Sequence, residues 1–316
     1  MKKIYFIFSI AIIGVMFMSC ASMRDYFIRN WREKDDKNHS RILSTRTFPE
    51  NIAAVFDIPY INSGDRGHLL DVYYPNNMEG PFPVIINIHG GGFLFENKEN
   101  NRLYCYHIAK NGFIVFNINY RLVSKEAKFP TQIEDVINAL DWIGNNMELY
   151  PADTEKIYIV GHSAGGYLAA MASLISESQR LQNVFNVNKP NIKINAIAVN
   201  CGLLELERRG IQWWGMRRTI FERGYKKEEY YQNLFLKNLP EISLLPPAFL
   251  TSNTDDALDF MTNYFVNILE ENKLDYNFYF IERGNRKLRH CFDLFSPDRE
   301  ESISLRNAML KYLLQY

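Results

Sequence analysis

Cysteine is scarce in this 316-residue chain, with only four, and no charge of one sign dominates: 36 basic residues face 36 acidic ones. The balance excludes a global basic field, and with it nucleic-acid binding as the main role. The small basic patch Lys226-Lys227 is followed at once by Glu228-Glu229, as on a solvated surface. Beyond Cys20, the three remaining cysteines, Cys105, Cys201 and Cys291, cannot all pair, and their spacing suits no zinc site. They read as small buried hydrophobes, with a single disulfide left open for an exported protein. The chain also lacks internal repeats, low-complexity tracts and a Gly-Lys-Ser/Thr sequence after its glycine run, which excludes solenoids and a phosphate-binding P-loop. The longest early apolar run, Ile4 to Met18, falls short of the ~20 residues that a comfortable membrane-spanning helix needs.

That run follows Lys2 and Lys3 and precedes Ser19-Cys20-Ala21, the layout of a secretory signal, with an uncleaved anchor helix as the second reading. Phe17-Met18-Ser19-Cys20 resembles a bacterial lipoprotein box, although Phe17 departs from the usual Leu. The resemblance implies a signal peptide over 1–20, lipid on Cys20, and an exported, membrane-anchored lipoprotein of the cell envelope. Residues 21–50 are polar and read as a linker with room for one helix. Residues 51–316 have the length of one α/β domain, and apolar residues, 47% of the chain, suffice for its core.

Strand and helix signals alternate through that domain. "IAAVFDIPY" and "HLLDVYYP" are β-rich and separated by Asn62-Ser63-Gly64-Asp65. "PVIINIHG" and "FIVFNINY" are nearly unbroken apolar runs, as in strands covered on both faces. Pro130 opens an amphipathic helix with Ile133, Val136, Ile137, Leu140 and Ile143 on one stripe. Strands follow at Ile157–Val160, Ile194–Asn200, "PPAFLTSN" and "DYNFYFIE". Helices are expected at Ala164–Ser176, "ALDFMTNYFVNILEEN" and "RNAMLKYLLQY". This pattern predicts a mostly parallel sheet wrapped by helices. Residues 203–240 are too long for a simple crossover and rich in aromatics; they read as a helical cap. Trp213 and Trp214 either line an acyl or sugar pocket or simply pack the cap onto the core, and packing is favoured.

The run Ile157–Val160 stops at Gly161-His162-Ser163-Ala164-Gly165 before a helix begins. Glycines on both sides permit a sharp turn that holds a serine hydroxyl clear of the backbone, with the positive end of the helix behind it. A serine nucleophile needs a base, an acid that orients the base, and N–H donors for the oxyanion. His89-Gly90-Gly91-Gly92-Phe93, directly after a strand, offers Gly91 and Gly92 as donors beside the N–H of Ala164. His89 reads as a residue that fixes this loop. Of the six histidines, His39 lies in the linker, His68 starts a strand, His107 is on a helix and His162 must point away from its neighbour Ser163. His290, in a loop after the last strand, is left as the base. The loop after "FLTSN" offers Asp255, Asp256 and Asp259; Asp255 comes first and is taken as the acid, with Asp256 beside it.

With these residues the chain resembles an α/β-hydrolase of the hormone-sensitive-lipase and bacterial feruloyl- and acetyl-esterase-like group. The resemblance rests on His89-Gly90-Gly91-Gly92-Phe93, Asn119-Tyr120-Arg121-Leu122, Phe129-Pro130, Gly161 to Gly166, Thr251 to Asp255 and His290-Cys291-Phe292. It implies an eight-stranded sheet, no metal and no cofactor, and hydrolysis of small-molecule or carbohydrate esters by Ser163, Asp255 and His290 through an acyl-enzyme. Two departures stand out: His162 where many members carry Asp, and Asp255-Asp256-Ala257-Leu258 where Asp-Pro-Leu is usual. A serine peptidase and a non-catalytic binding protein on the same scaffold are the alternatives.

Overall fold

The computed structural model describes residues 21–284 and 287–316; the expected signal segment 1–20, with Cys20, lies outside the described residues. In chain order the elements are α1 (Ala21–Leu43), β1 (Ile52–Pro59), β2 (Leu69–Pro75), β3 (Phe82–Ile88), α2 (Arg102–Ala109), β4 (Ile114–Ile118), α3 (Thr131–Asn146), β5 (Ala152–His162), α4 (Ala164–Glu177), α5 (Gln179–Phe185), β6 (Ala196–Asn200), α6 (Ile211–Ile220), α7 (Glu229–Gln232), β7 (Ala248–Asn253), α8 (Asp259–Glu271), β8 (Tyr276–Ile281), α9 (Phe292–Phe295) and α10 (Glu300–Leu313), with short 3₁₀ turns between them. The eight strands form one sheet in the order β1-β2-β4-β3-β5-β6-β7-β8. Only the β1–β2 and β2–β4 pairs are antiparallel.

The unbroken apolar runs become central strands because both sheet faces are covered. Val84, Ile86, Ile88, Ile159, Ile197, Val199 and Leu250 face one core layer, which the stripe of α3 and nearly the whole circumference of α4 complete. Ile85, Val115, Tyr158, Val160, Ala198 and Phe249 face the other, against α2 and α10. Each fully buried Val, Leu or Ile contributes about 1.5–3 kcal/mol, so register is strongly set: a one-residue slip would turn these side chains to the wrong layer. The resulting register brings the outgoing ends of the strands together, Ile88 beside Gly161, His162 beside Asn200, and Asn253 beside Ile281. Loops leaving those ends carry the glycine run 90–92, Ser163 and the pair Asp255-Asp256, at the edge where open parallel sheets bind ligands.

Two segments gain detail that the sequence left open. Residues 21–43, expected as part of a linker, form the helix α1, which docks on the domain. Ile28 is buried in the core; the Arg32 guanidinium donates to the carbonyls of Leu94 and Val123, each at 2.6 Å; and His39 Nε2 lies 3.1 Å from the Glu99 carbonyl. Among the described residues no helix is long and apolar enough to cross a membrane. Over 203–240, α6, α7 and short turns pack tightly on the core. Phe129 N–H donates to Ile220 O at 2.9 Å, the Tyr167 hydroxyl donates to Leu234 O at 2.7 Å, and the Phe221 and Tyr225 rings stack at 4.6 Å. Trp213 meets Phe260 edge-on, while Trp214 is 47% exposed beneath the Arg218 guanidinium.

Candidate active site

Ser163 sits at φ +53°, ψ −115°, between the end of β5 and the start of α4. For a non-glycine residue that backbone costs about 1–3 kcal/mol and persists only where the surroundings impose it. Here its N–H donates to the Asn200 carbonyl at 2.9 Å, and its own carbonyl accepts from Gly166 N–H at 3.0 Å and Leu203 N–H at 2.9 Å. The flanking glycines are required by close approach. A Cβ on Gly161 would lie 2.2 Å from the Gly165 carbonyl oxygen, and one on Gly165 would lie 2.3 Å from that of Ile88. Ser163 is half-buried, so its side chain remains in reach of solvent.

The glycine loop after β3 lies against this turn: a Cβ on Gly90 would meet Ser163 Cβ at 3.2 Å. Gly91 and Gly92 adopt φ +82° and +60°, which side chains disfavour. The Tyr120 hydroxyl donates to the Gly90 carbonyl at 2.7 Å, and its ring stacks on His89 with centroids 4.1 Å apart. Burial pushes the His89 pKa down to about 3, so its ring is neutral and cannot serve as an accessible base. The supporting role of Tyr120 was not assigned from sequence; its signal was the Asn-Tyr-Arg-Leu run at the end of β4. In the same run Arg121 grips the buried Asp135 at 2.7 and 2.9 Å, and Asp135 also meets His68 Nε2 at 3.2 Å.

His290 is carried by the loop after β8, and its Nδ1 lies 2.8 Å from Oδ1 of Asp256, whose side chain is fully buried. Asp255, expected as the acid, is not the partner. It pairs with Arg283 and accepts the Leu288 N–H at 2.9 Å. The cause is a turn at Asn253, which accepts Asp255 N–H through Oδ1 and Asp256 N–H through its carbonyl, sending the two neighbouring carboxylates in different directions. Burial favours the neutral form of Asp256, but the hydrogen bond and charge of His290 prevail and hold its pKa below the usual range. Burial likewise pulls the His290 pKa down, and the bond to Asp256, aided by the neighbouring Cys201, overcomes this and leaves it well above the ordinary value. Asp259 begins α8, as expected.

The elbow and the histidine loop meet at a single oxygen, because the Asn200 carbonyl that accepts Ser163 N–H also accepts the Cys291 thiol at 3.8 Å. Behind it is a buried polar cluster. Asp293 Oδ2 lies 3.2 Å from both His162 Nε2 and Asn200 Nδ2, and Tyr104 packs edge-on against the His162 ring. His162 thus points away from Ser163. Cys105, Cys201 and Cys291 are all free and buried, so no disulfide forms among them. They are buried, as read from the sequence, but the fold overrides their spacing along the chain: Cys201, Cys291 and His290 place their donor atoms within 4.8 Å of one another. His39 binds the Glu99 carbonyl and His107 lies 3.4 Å from Asp298, both away from this centre. A cavity of about 450 Å³ beneath α1, lined by Arg32, Arg66, Glu96 and Arg121, includes none of Ser163, Asp256 and His290.

Residues 70–227, which carry the glycine loop, the elbow and most of the cap, match the BD-FAE family. The chain belongs to the BD-FAE family. Among curated relatives, the probable carboxylic ester hydrolase LipM of Mycobacterium tuberculosis is 29% identical over 64% of this chain and 48% of its own length. The probable isoprenylcysteine alpha-carbonyl methylesterase ICMEL1 of Arabidopsis thaliana is 28% identical over 64% of this chain and 45% of its own. The chain thus spans about half the length of these relatives. Among solved structures, esterase B of Lactobacillus rhamnosis superposes with a TM-score of 0.82, covering 91% of this chain and 93% of that one at 23% identity. A bacterial heroin esterase gives 0.70 over 90% of both chains at 20% identity. These likenesses show the α/β-hydrolase fold for this BD-FAE member. Asp256 and His290 lie beyond the matched segment and are placed by the fold alone.

Proposed function

We propose that this protein is a serine esterase that cleaves small carboxylic esters through an acyl-enzyme. Ser163 attacks the ester carbonyl while His290 takes its proton, and Asp256 holds the imidazole in the tautomer that can do so. The N–H groups of Gly91, Gly92 and Ala164 receive the oxyanion. His290 then protonates the leaving alcohol, and water repeats the sequence to release the acid. The observation that carries this reading is the meeting of the Ser163 elbow and the His290 loop on the Asn200 carbonyl, with His290 oriented at 2.8 Å by a buried carboxylate. The relatives named as ester hydrolases and methylesterases support the substrate class. Within that class we favour short acyl chains or acylated sugars, and a panel of C2 to C12 nitrophenyl esters with acetylated and feruloylated sugars ranks them.

Ser163→Ala is expected to lower ester turnover by about four to six orders of magnitude with the fold unchanged by circular dichroism. Wild-type turnover in that variant would overturn the reading. The proposal extends to the cell envelope, with lipid attached at Cys20 after signal removal. Metabolic labelling with a radiolabelled fatty acid, lost in Cys20→Ala, is the expected result; equal labelling of both proteins would remove the anchor.

A further inference from the structure

Two thiols lie beside the histidine base and take no covalent step in the ester hydrolysis proposed above. Cys201 directly follows β6 and Cys291 directly follows His290, and both are nearly inaccessible, at 2% and 4% exposure. The His290 side chain is 36% exposed, so the group of three is closed on the cysteine side and open on the imidazole side. Their donor atoms lie within 4.8 Å of one another. In a tetrahedral zinc site, bond lengths of about 2.0–2.3 Å put neighbouring ligand atoms about 3.5–3.8 Å apart. The group therefore needs to contract by no more than about 1.3 Å to surround an ion. Two sulfur donors and one imidazole suit a thiophilic d¹⁰ cation and suit magnesium or calcium poorly.

We propose that Cys201, Cys291 and His290 form a three-ligand site for zinc, and that its occupancy switches off hydrolysis by capturing the imidazole. On binding, each thiol releases its proton to solvent as its sulfur bonds to the ion, and a ring nitrogen of His290 donates its lone pair. Water takes the fourth position on the exposed side. Both nitrogens matter to the base: Nε2 collects the serine proton, and Nδ1 is held by Asp256. A metal on either one removes the base, so ion and acyl transfer exclude each other. The inhibitory half of this inference rests on the role assigned to His290 above; the binding half does not.

The test uses the full metal-free chain. Equilibrium dialysis is expected to show one zinc bound per chain in the wild type, in Ser163→Ala and in Cys105→Ala. In Cys201→Ala and Cys291→Ala, checked for folding by thermal melting, affinity is expected to fall by more than the roughly 10–100-fold that loss of a supporting residue costs a metal site. Cobalt is expected to give a thiolate charge-transfer band in the wild type, a weaker one in each single cysteine variant, and none in the Cys201→Ala, Cys291→Ala double variant. Zinc is expected to suppress nitrophenyl ester turnover in step with occupancy, a chelator to restore it, and each cysteine variant, measured against its own metal-free rate, to resist. Inhibition that persists in both cysteine variants, or no zinc binding in the wild type, would overturn the inference. A metal-free chain that binds zinc but turns over no ester would instead count against the esterase reading.

Discussion

Asp255 and Asp256 are neighbours in one loop, yet Asp256 faces His290 while Asp255 is held by Arg283 and the Leu288 amide. Their substitutions are therefore expected to diverge. Asp256→Asn should lower turnover by about four orders of magnitude, because an amide stabilises the wrong imidazole tautomer. Asp255→Asn should stay within about tenfold of wild type and act mainly on the stability of the loop. Equal losses in the two would reverse the assignment. The pH profile follows from the same pair. His290 titrates above its ordinary value because of Asp256, and only the neutral ring can accept a proton. The acid limb of kcat/KM should therefore fall as pH drops through a pKa above 6.5. In Asp256→Asn that limb should move to lower pH, since burial, which then acts without the carboxylate, favours the neutral ring. A limb that stays in place would show that another group sets it. The sequence could not choose between these aspartates: both lie past the end of β7, where no period of two or 3.6 says which way a side chain points.

Elements were more legible than residues. The apolar runs of β3, β4, β5, β6 and β7 announced themselves because strands buried on both faces carry few polar positions, and Gly and Pro mark their ends. The stripe on α3 fixed its inward face for a related reason. Contacts between ends of elements were not legible, because they depend on sheet order. The clearest case joins three of them. His162 ends β5, Asn200 ends β6 and Asp293 lies in α9, and all three meet at one buried carboxylate oxygen. This cluster ties the histidine loop to the elbow. Asp293→Ala would remove the shared acceptor and leave His162 Nε2 and Asn200 Nδ2 only each other, at 3.0 Å, at a cost of about 1–3 kcal/mol. The expected outcome is a lower melting temperature together with slower labelling of Ser163 by a fluorophosphonate. Loss of stability with an unchanged labelling rate would restrict the cluster to a structural role.

At the scale of the molecule, the segment that matches BD-FAE carries Ser163 and the glycine loop, while the C-terminal part carries Asp256 and His290. The N-terminal helix adds a brace that the sequence concealed: α1 is strongly polar, so it read as a linker. Its attachment rests on individual donors more than on an apolar face. Arg32 spans two loops, gripping the Leu94 carbonyl just past the glycine turn and the Val123 carbonyl beyond β4, while Asn97 reaches back to Asp36 at 2.8 Å. The strand of chain that presents Gly91 and Gly92 is thus held from outside by α1 and from beneath by Tyr120. Arg32→Ala removes two charge-assisted bonds at a half-buried site, a loss of about 1–2 kcal/mol. For a domain of this size that corresponds to a fall of about 2–8 °C in Tm. Because the glycine loop then loses its outer brace, kcat should drop more than KM rises, as expected when donors aimed at the transition state are loosened. A melting curve and a rate profile that both match the wild type would mean that α1 does not dock in solution.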